Sequence, residues 1–327
     1  YHFSWHWRCQ NSNELKEPIA FSLEGMSSAG AVFFNRNLMW KDKHLVEPLS
    51  KSWNTPRFWI LPVESLKQQI NTYYQEITVQ NYLDLATRSH NVEKWLNGNF
   101  DPATKDEIKK LQKDNPDELA DAFYKNLEFG TGGMRGEMGV GSNRMNRYTV
   151  GAATQGFANY LNKCLPNQKI KVAIAHDSRN NSPEFTQICA DIFSANNIEV
   201  FLFPALRPTP QLSFTVRKLG CQAGLVITAS HNPKEYNGYK AYWNDGGQLV
   251  PPHDKNVIIE VDKVAGVDDV KWSGGESNIT LIGKEMDEAY MQMIQSLSVY
   301  PEVCKAQHDL KIVYTSIHGT GITLVPQ

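Results

Sequence analysis

From residue 150 onward, helical and extended rhythms of apolar residues follow one another in turn. Val150, Ala153, Phe157 and Leu161 recur at helical spacing and predict a helix over about 150–161. The nearly continuous apolar run Lys171-Val-Ala-Ile-Ala-His176 predicts a strand buried on both faces. Ser182-Pro183 reads as a helix start, with the serine as cap and the proline at the first helical position. Phe185, Ile188, Cys189 and Ile192 form that helix's buried stripe. Further strands are expected at Ile198–Phe203, Ala223–Thr228 and about Tyr239–Trp243, with a short helix from near Pro210. A last helix-then-strand unit runs from Lys284 to Thr315, its strand being Leu310–Thr315. Upstream, residues 82–124 look helical and charged, interrupted by a turn at Asp101-Pro102, and a glycine-rich loop covers Phe129 to Ser142.

This order predicts an α/β fold: a three-layer α/β/α domain with a mixed sheet, followed by the start of a second α/β domain. The expected divisions are an unassigned N-terminal segment (1–77), a main domain (78–285) and the beginning of a truncated second domain (286–327). Five of the eight tryptophans (Trp5, Trp7, Trp40, Trp53, Trp59) fall in the first segment, which shows no clean helix or strand period. The chain opens on Tyr1 and its first methionine is Met26, so a fragment or a processed product is expected.

Composition removes several classes of function. Lys and Arg total 33 against 35 Asp and Glu, a net charge of −2. That balance lacks the basic surplus of a nucleic-acid binder. No apolar run is long enough for a membrane span, and no signal stretch opens the chain. The five cysteines are scattered, which fits neither a disulfide framework nor a zinc site, so a reducing, cytoplasmic compartment is expected. His44, His90, His253 and His308 stand alone and are expected on the surface or in packing. Met286, Met291 and Met293 are expected to fill core space.

Candidate chemistry gathers in loops at predicted strand ends. Thr228-Ala-Ser-His-Asn-Pro-Lys-Glu-Tyr-Asn-Gly-Tyr-Lys240 begins where the third strand ends, the side on which open α/β sheets bind ligands. Ser230 is a candidate nucleophile or phosphate carrier. His231 and Lys240 are nearby cationic or proton-exchanging groups, and Asn237-Gly238 allows a turn that returns Lys240 towards Ser230. In Phe129-Gly-Thr-Gly-Gly-Met-Arg-Gly136, backbone N–H groups around Gly133 and the fork of Arg135 suit an anion. Asp177-Ser-Arg179 follows the first strand, and its arginine is expected to meet a phosphate or the serine loop. A serine hydrolase is a poor alternative, because Ser230, with Ala229 and Asn232 around it, does not sit in the G-x-S-x-G pattern of a nucleophile elbow.

TASHNP (228–233), NGYK (237–240), FGTGGMRG (129–136), DSR (177–179) and YTSIHGTG (314–321) together resemble the α-D-phosphohexomutase superfamily, the phosphoglucomutase/phosphomannomutase enzymes. The resemblance runs from about residue 85 to the end and identifies the chain as an N-terminal fragment of such an enzyme. It implies a phosphoserine at Ser230 that exchanges a phosphoryl group with hexose phosphate through a hexose 1,6-bisphosphate, interconverting glucose 1-phosphate and glucose 6-phosphate. It further implies proton transfer by Lys240 and His231, steadying by Arg135, and phosphate or substrate contacts from Arg179, Asn232, Gly133 and His318. Mg²⁺ is the implied cofactor, bound by the phosphoserine oxygen and by aspartates of a D-x-D-x-D-R loop. No such loop occurs in this chain, so Ser230 is the one metal ligand identifiable here and the missing C-terminal domains are implied partners. The chain by itself is expected to be inactive. Mannose or pentose phosphates, or a non-catalytic phosphosugar-binding module, remain as alternatives.

Overall fold

The run Lys171–His176 becomes strand β6 at the middle of a sheet, because its side chains find apolar layers on both faces. Val172 and Ile174 face one buried cluster, whereas Ala173 and Ala175 face another. The computed structural model describes strands at 19–23, 31–34, 37–41 and 57–61, and residues 89–130 and 132–326. The chain divides into two compact units, Tyr1–Leu85 and Ala86–Gln327.

Within the first unit, β1 (Ile19–Leu23) pairs antiparallel with β4 (Arg57–Leu61), and β2 (Ala31–Phe34) with β3 (Asn37–Lys41). The segment in which no strand period was apparent thus contains four strands. Cys9, His44, Trp5, Trp7, Trp53 and the expected helical residues 82–88 lie outside the described residues.

The second unit begins with helical residues 89–97 (α1), α2 (Pro102–Asp114) and α3 (Pro116–Phe123). Asp101-Pro102 is the start of α2. The Asp101 carboxylate accepts from the Thr104 amide, and Pro102 occupies a first-turn site that needs no donor. Next come β5 (Gly133–Glu137), α4 (Arg147–Cys164), β6, α5 (Ser182–Ala195), β7 (Glu199–Leu202), α6 (Thr209–Lys218), β8 (Ala223–Ile227), β9 (Tyr236–Trp243), α7 (His253–Asp262), β10 (Ile279–Leu281), α8 (Lys284–Ser296) and α9 (Pro301–Ala306). The six strands of this unit are ordered β10-β7-β6-β8-β9-β5. β10, β7, β6 and β8 run parallel; β9 is antiparallel to both β8 and β5. One face packs on α4, α5 and α7 through residues such as Phe157, Leu161, Phe193 and Val257. The other packs on α6 and α8 through Leu212, Val216 and Met286. This is the expected three-layer α/β/α arrangement with a mixed sheet. Each fully buried aliphatic side chain in these layers is worth roughly 1.5–3 kcal/mol.

Three local expectations are corrected. Ser182 is not the cap of α5 but its first helical residue, because Asn181 takes the left-handed conformation and occupies the cap. The buried Ser182 hydroxyl instead donates to Asp177 Oδ1. The glycine-rich stretch is not wholly a loop, since Gly133–Glu137 forms an edge strand. Finally, Leu310–Thr315 forms no strand: it finds no ladder partner among the described residues, and Ile312 and Val313 are 77% and 98% exposed. The expected boundary at residue 286 falls inside α8. There Asp287 is buried against Arg207 and Gln211 of the main sheet's second layer. No described helix is long and apolar enough to cross a membrane.

Candidate active site

The ladder between β5 and β9 places two cations on one face of the sheet. Gly133 pairs with Lys240, Met134 with Tyr239, and Arg135 with Gly238. Strand alternation sends Met134 and Tyr239 into the α4/α5 core, so Arg135 and Lys240 lie on the opposite face as diagonal neighbours. Glycine is required across from each of them. A Cβ at Gly133 would lie 1.7 Å from the Tyr239 carbonyl oxygen, and one at Gly238 would lie 2.5 Å from that of Thr228. The sequence motifs FGTGGMRG and NGYK are therefore the two sides of one antiparallel pair.

Ser230 stands three residues past the end of β8. Its φ of 56° is left-handed, a conformation uncommon for a residue with a Cβ and costing of order 1–2 kcal/mol. Its amide donates to Thr228 Oγ1 at 3.0 Å, and the next turn closes with the Asn232 amide on the Ala229 carbonyl at 3.1 Å. The Ser230 side chain is exposed, with His231 Nδ1 3.4 Å from its Oγ. A cleft of about 810 Å³ opens in front of it, lined by Asp177, Arg179, Arg207, Ser230, His231 and Lys240 among others. It extends across the carboxyl ends of β6, β7 and β8, where sequence reasoning placed the ligand.

The expected site residues reach this region by different routes. Arg135 Nη1 donates to Asn232 Oδ1 at 2.8 Å, which ties the ladder to the serine loop. The His318 loop also lines the cleft, and the Ser178 hydroxyl donates to the His318 carbonyl. Gly133 does not offer its amide to an anion as expected. Its N–H and carbonyl are both paired with Gly130, at 3.0 and 2.7 Å. Arg179 takes the second of its two expected partners, the serine loop: its guanidinium is directed at backbone carbonyls there, including those of Asn232 and Ser230 at 2.6 and 3.0 Å. Asn232 is thereby held from both ends, by Arg135 at its side chain and by Arg179 at its carbonyl. Arg207, which the sequence reading missed, stands in the loop after β7 and lines the same cleft. Its position at a parallel strand's carboxyl end was the available signal. His253 is a packing residue, stacked on Trp243 and paired with the Tyr160 hydroxyl at 2.8 Å. His90 and His308 are exposed, away from the cleft.

Lys240 is the chemically distinctive group. Burial lowers its pKa, the neighbouring positive charge of Arg135 lowers it further, and Asp177 partly offsets both. Among the described residues its ammonium has no hydrogen-bond or ion-pair partner, so it is available to a ligand. The described residues do not by themselves fit a divalent cation. They contain no cluster of three or more acidic, histidine or cysteine side chains suited to a metal. Asp177, the carboxylate lining the cleft, already accepts from Ser182 Oγ and the Arg179 amide and lies 3.5 Å from Arg179 Nε. The charge that this region offers an anion is cationic protein side chains.

Residues 126–266 match the family model for phosphoglucomutase/phosphomannomutase, alpha/beta/alpha domain I. The chain is 39% identical over 215 residues to a phosphoglucomutase of Staphylococcus epidermidis, covering 64% of this chain and 38% of that protein. It is 35% identical over 244 residues to a probable phosphoribomutase of Schizosaccharomyces pombe, covering 72% and 41%. The solved open form of Paramecium pp63/parafusin, a phosphoglucomutase, is similar over 60% of this chain and 40% of that one, with a TM-score of 0.48 and 20% identity. The chain thus spans about two fifths of the length of the curated relatives it matches.

Proposed function

Because the chain belongs, through residues 126–266, to the phosphoglucomutase/phosphomannomutase family of α-D-phosphohexomutases, we propose that it is the serine-bearing part of an intramolecular phosphotransferase. Ser230 carries a phosphoryl group and exchanges it with a sugar phosphate. The observation that carries this reading is the exposed Ser230 hydroxyl on a left-handed turn, in one cleft with Lys240, His231, Arg207 and the His318 loop.

In the first half-reaction, a hydroxyl of the sugar monophosphate attacks the phosphorus on Ser230. The Ser230 Oγ–P bond breaks, a sugar O–P bond forms, the sugar hydroxyl loses its proton, and Ser230 Oγ gains one. The product is a sugar bisphosphate. After it turns over, Ser230 attacks its other phosphate and the same exchanges run in reverse. Lys240, with its lowered pKa, is the group that takes and returns the sugar proton; His231 stands beside Ser230 Oγ to serve the serine. Transfer of this kind depends on alignment and charge neutralisation more than on a strong base. A phosphoserine brings about −1.5 to −2 charges, which Lys240 faces in the cleft and Arg135 supports through Asn232, whereas the charge of Arg207 is already matched by Asp287. A Mg²⁺ on the phosphoserine would need carboxylates from outside the described residues, and no step here is routed through it.

Glucose 1-phosphate and glucose 6-phosphate are the proposed pair, by likeness to the Staphylococcus phosphoglucomutase. A pentose phosphate is the second reading, supported by the comparable likeness to the phosphoribomutase. The cytoplasm is the proposed compartment, supported by four unpaired thiols, Cys164, Cys189, Cys221 and Cys304. The test is peptide mass spectrometry of the intact protein after incubation with glucose 1,6-bisphosphate. Phosphate is expected on Ser230, and Ser230→Ala is expected to abolish conversion of glucose 1-phosphate to glucose 6-phosphate. Full activity in that variant refutes the reading.

A further inference from the structure

The turn after β6 is organised around one guanidinium, and what that guanidinium contacts is main chain. The Arg179 side chain is 12% exposed. Its Nη1 donates to the carbonyls of Pro233 at 2.7 Å and Tyr236 at 2.9 Å. Its Nη2 donates to those of Ser230 at 3.0 Å and Asn232 at 2.6 Å. Nε lies 3.5 Å from Asp177 Oδ2. All three nitrogens are therefore engaged inside the protein. The base of the arrangement is fixed as well. Asp177 Oδ1 accepts from the Arg179 amide and from Ser182 Oγ, and Ser182 Oγ accepts from Asn237 Nδ2 at 3.0 Å. Asn237 is the second residue of β9, so the circuit runs from the end of β6, through the first turn of α5, to the strand that leaves the serine loop.

Four carbonyl oxygens of residues 230–236 thus converge on one cation. Without it their dipoles repel one another, and the turn that holds Ser230 at positive φ loses its main tie to the sheet. We propose that Arg179 is a positioning residue: its planar fork sets the conformation of residues 230–236 and so aims Ser230 Oγ into the cleft, without itself binding phosphate. The catalytic part of this proposal rests on the phosphoserine reading above; the conformational part does not. The planar fork is what matters. A lysine keeps the charge but presents a single nitrogen that cannot reach four carbonyls in this geometry.

The test compares Arg179→Lys and Arg179→Met with the wild type in the intact protein, by amide hydrogen exchange and by the rate of phosphate uptake on Ser230 from glucose 1,6-bisphosphate. Both variants are expected to speed exchange in residues 230–238 by about tenfold or more while the α4 and β6 amides stay protected. Both are expected to slow phosphate uptake by about tenfold or more, with the half-saturating sugar concentration nearly unchanged. A phosphate ligand would behave differently: lysine would restore most of the rate, methionine would raise the half-saturating concentration, and loop exchange would not change. That pattern overturns the proposal. If the methionine variant fails to fold, the lysine variant decides by the same readouts. If wild-type Ser230 takes up no phosphate, the phosphoserine reading falls, while unchanged exchange in the variants overturns the positioning role independently.

Discussion

Replacing Asp287 by alanine would leave a guanidinium that the fold has already removed from water. The side chains of Arg207 and Asp287 are 8% and 9% exposed, and the pair is bidentate, with Nε and Nη2 each 2.7 Å from a carboxylate oxygen. Gln211 Nε2 adds a third donor to Asp287 Oδ1 at 2.6 Å. Asp287→Ala deprives all three donors of their acceptor and gives Arg207 no new partner. Breaking a buried pair from one side costs about 3–5 kcal/mol. With a urea slope of about 3 kcal/mol/M, the unfolding midpoint falls by about 1–2 M. Asp287→Asn keeps one acceptor oxygen and is expected to lose about half as much. Arg207→Met with Asp287→Leu removes both charges and fills the space, and is expected to lie within about 1 kcal/mol of the wild type. Urea unfolding of the whole chain, followed by far-ultraviolet circular dichroism, measures all four proteins. An alanine variant within about 1 kcal/mol of the wild type would refute the reasoning, because it would mean that water already reaches the pair.

Three further outcomes are expected. Gly133→Ala forces a Cβ to 1.7 Å from the Tyr239 carbonyl at a φ of 140°; it is expected to open the β5/β9 ladder, cost about 3 kcal/mol or more, and speed amide exchange in β5 ahead of β6. Burial raises the pKa of Asp101, but the Tyr148 hydroxyl, the Thr104 side chain and amide, and the charge of Arg147 outweigh it and hold the carboxyl at about 2, below its ordinary 3.8. Its folded-state pKa is thus depressed, so its contribution is complete above about pH 4 and lost as the pH falls through about 2. Tyr148→Phe is expected to cost about 1.5 kcal/mol at neutral pH and to shrink that acid-limb loss, as read from urea midpoints across the pH range. For the proposed phosphoryl transfer by the intact protein, kcat/KM is expected to rise with pH around a midpoint below the ordinary lysine value of 10.5, and Lys240→Arg is expected to remove that limb. A profile unchanged by the substitution removes Lys240 from proton transfer.

The parallel strands β6, β7 and β8 and the helices α4, α5 and α6 were legible because burial leaves an apolar signature that few other elements share, whereas helix α7 and the short, largely exposed parallel strand β10 were not. β6 falls on the expected residues, and α4 extends the expected helix by a turn or less at each end. β5 was not legible. Gly133-Met-Arg-Gly-Glu137 buries a single large apolar side chain, and its pairing is dictated by β9, about a hundred residues away. Leu310–Thr315 shows the converse: its apolar composition suits a strand, but a strand exists only with a neighbour to bond, and none of the described residues supplies one. At the site, residue types suggested phosphate chemistry as an expectation; Ser230, Lys240 and the His318 loop line one cleft, and Arg135 is tied to its serine loop through Asn232. For Arg179 the sequence left two partners open, because an arginine's contacts are set by tertiary placement: the same side chain suits a phosphate or a ring of carbonyls, and it is the serine loop that it meets. Asp287 and Arg207 were silent for a related reason, since their pairing joins positions 80 residues apart.

Arg135 and Lys240 belong to neighbouring strands of one ladder, whereas Ser230 rides on a connecting turn. Hydrogen bonds of the sheet, not the state of the turn, determine how far apart the backbones of the two cationic residues stand. Should the turn shift, the serine oxygen would be displaced against strands that stay in place: Lys240, unpartnered among the described residues, would keep its position, whereas the Arg135 guanidinium, bonded to Asn232, would be drawn along with the turn.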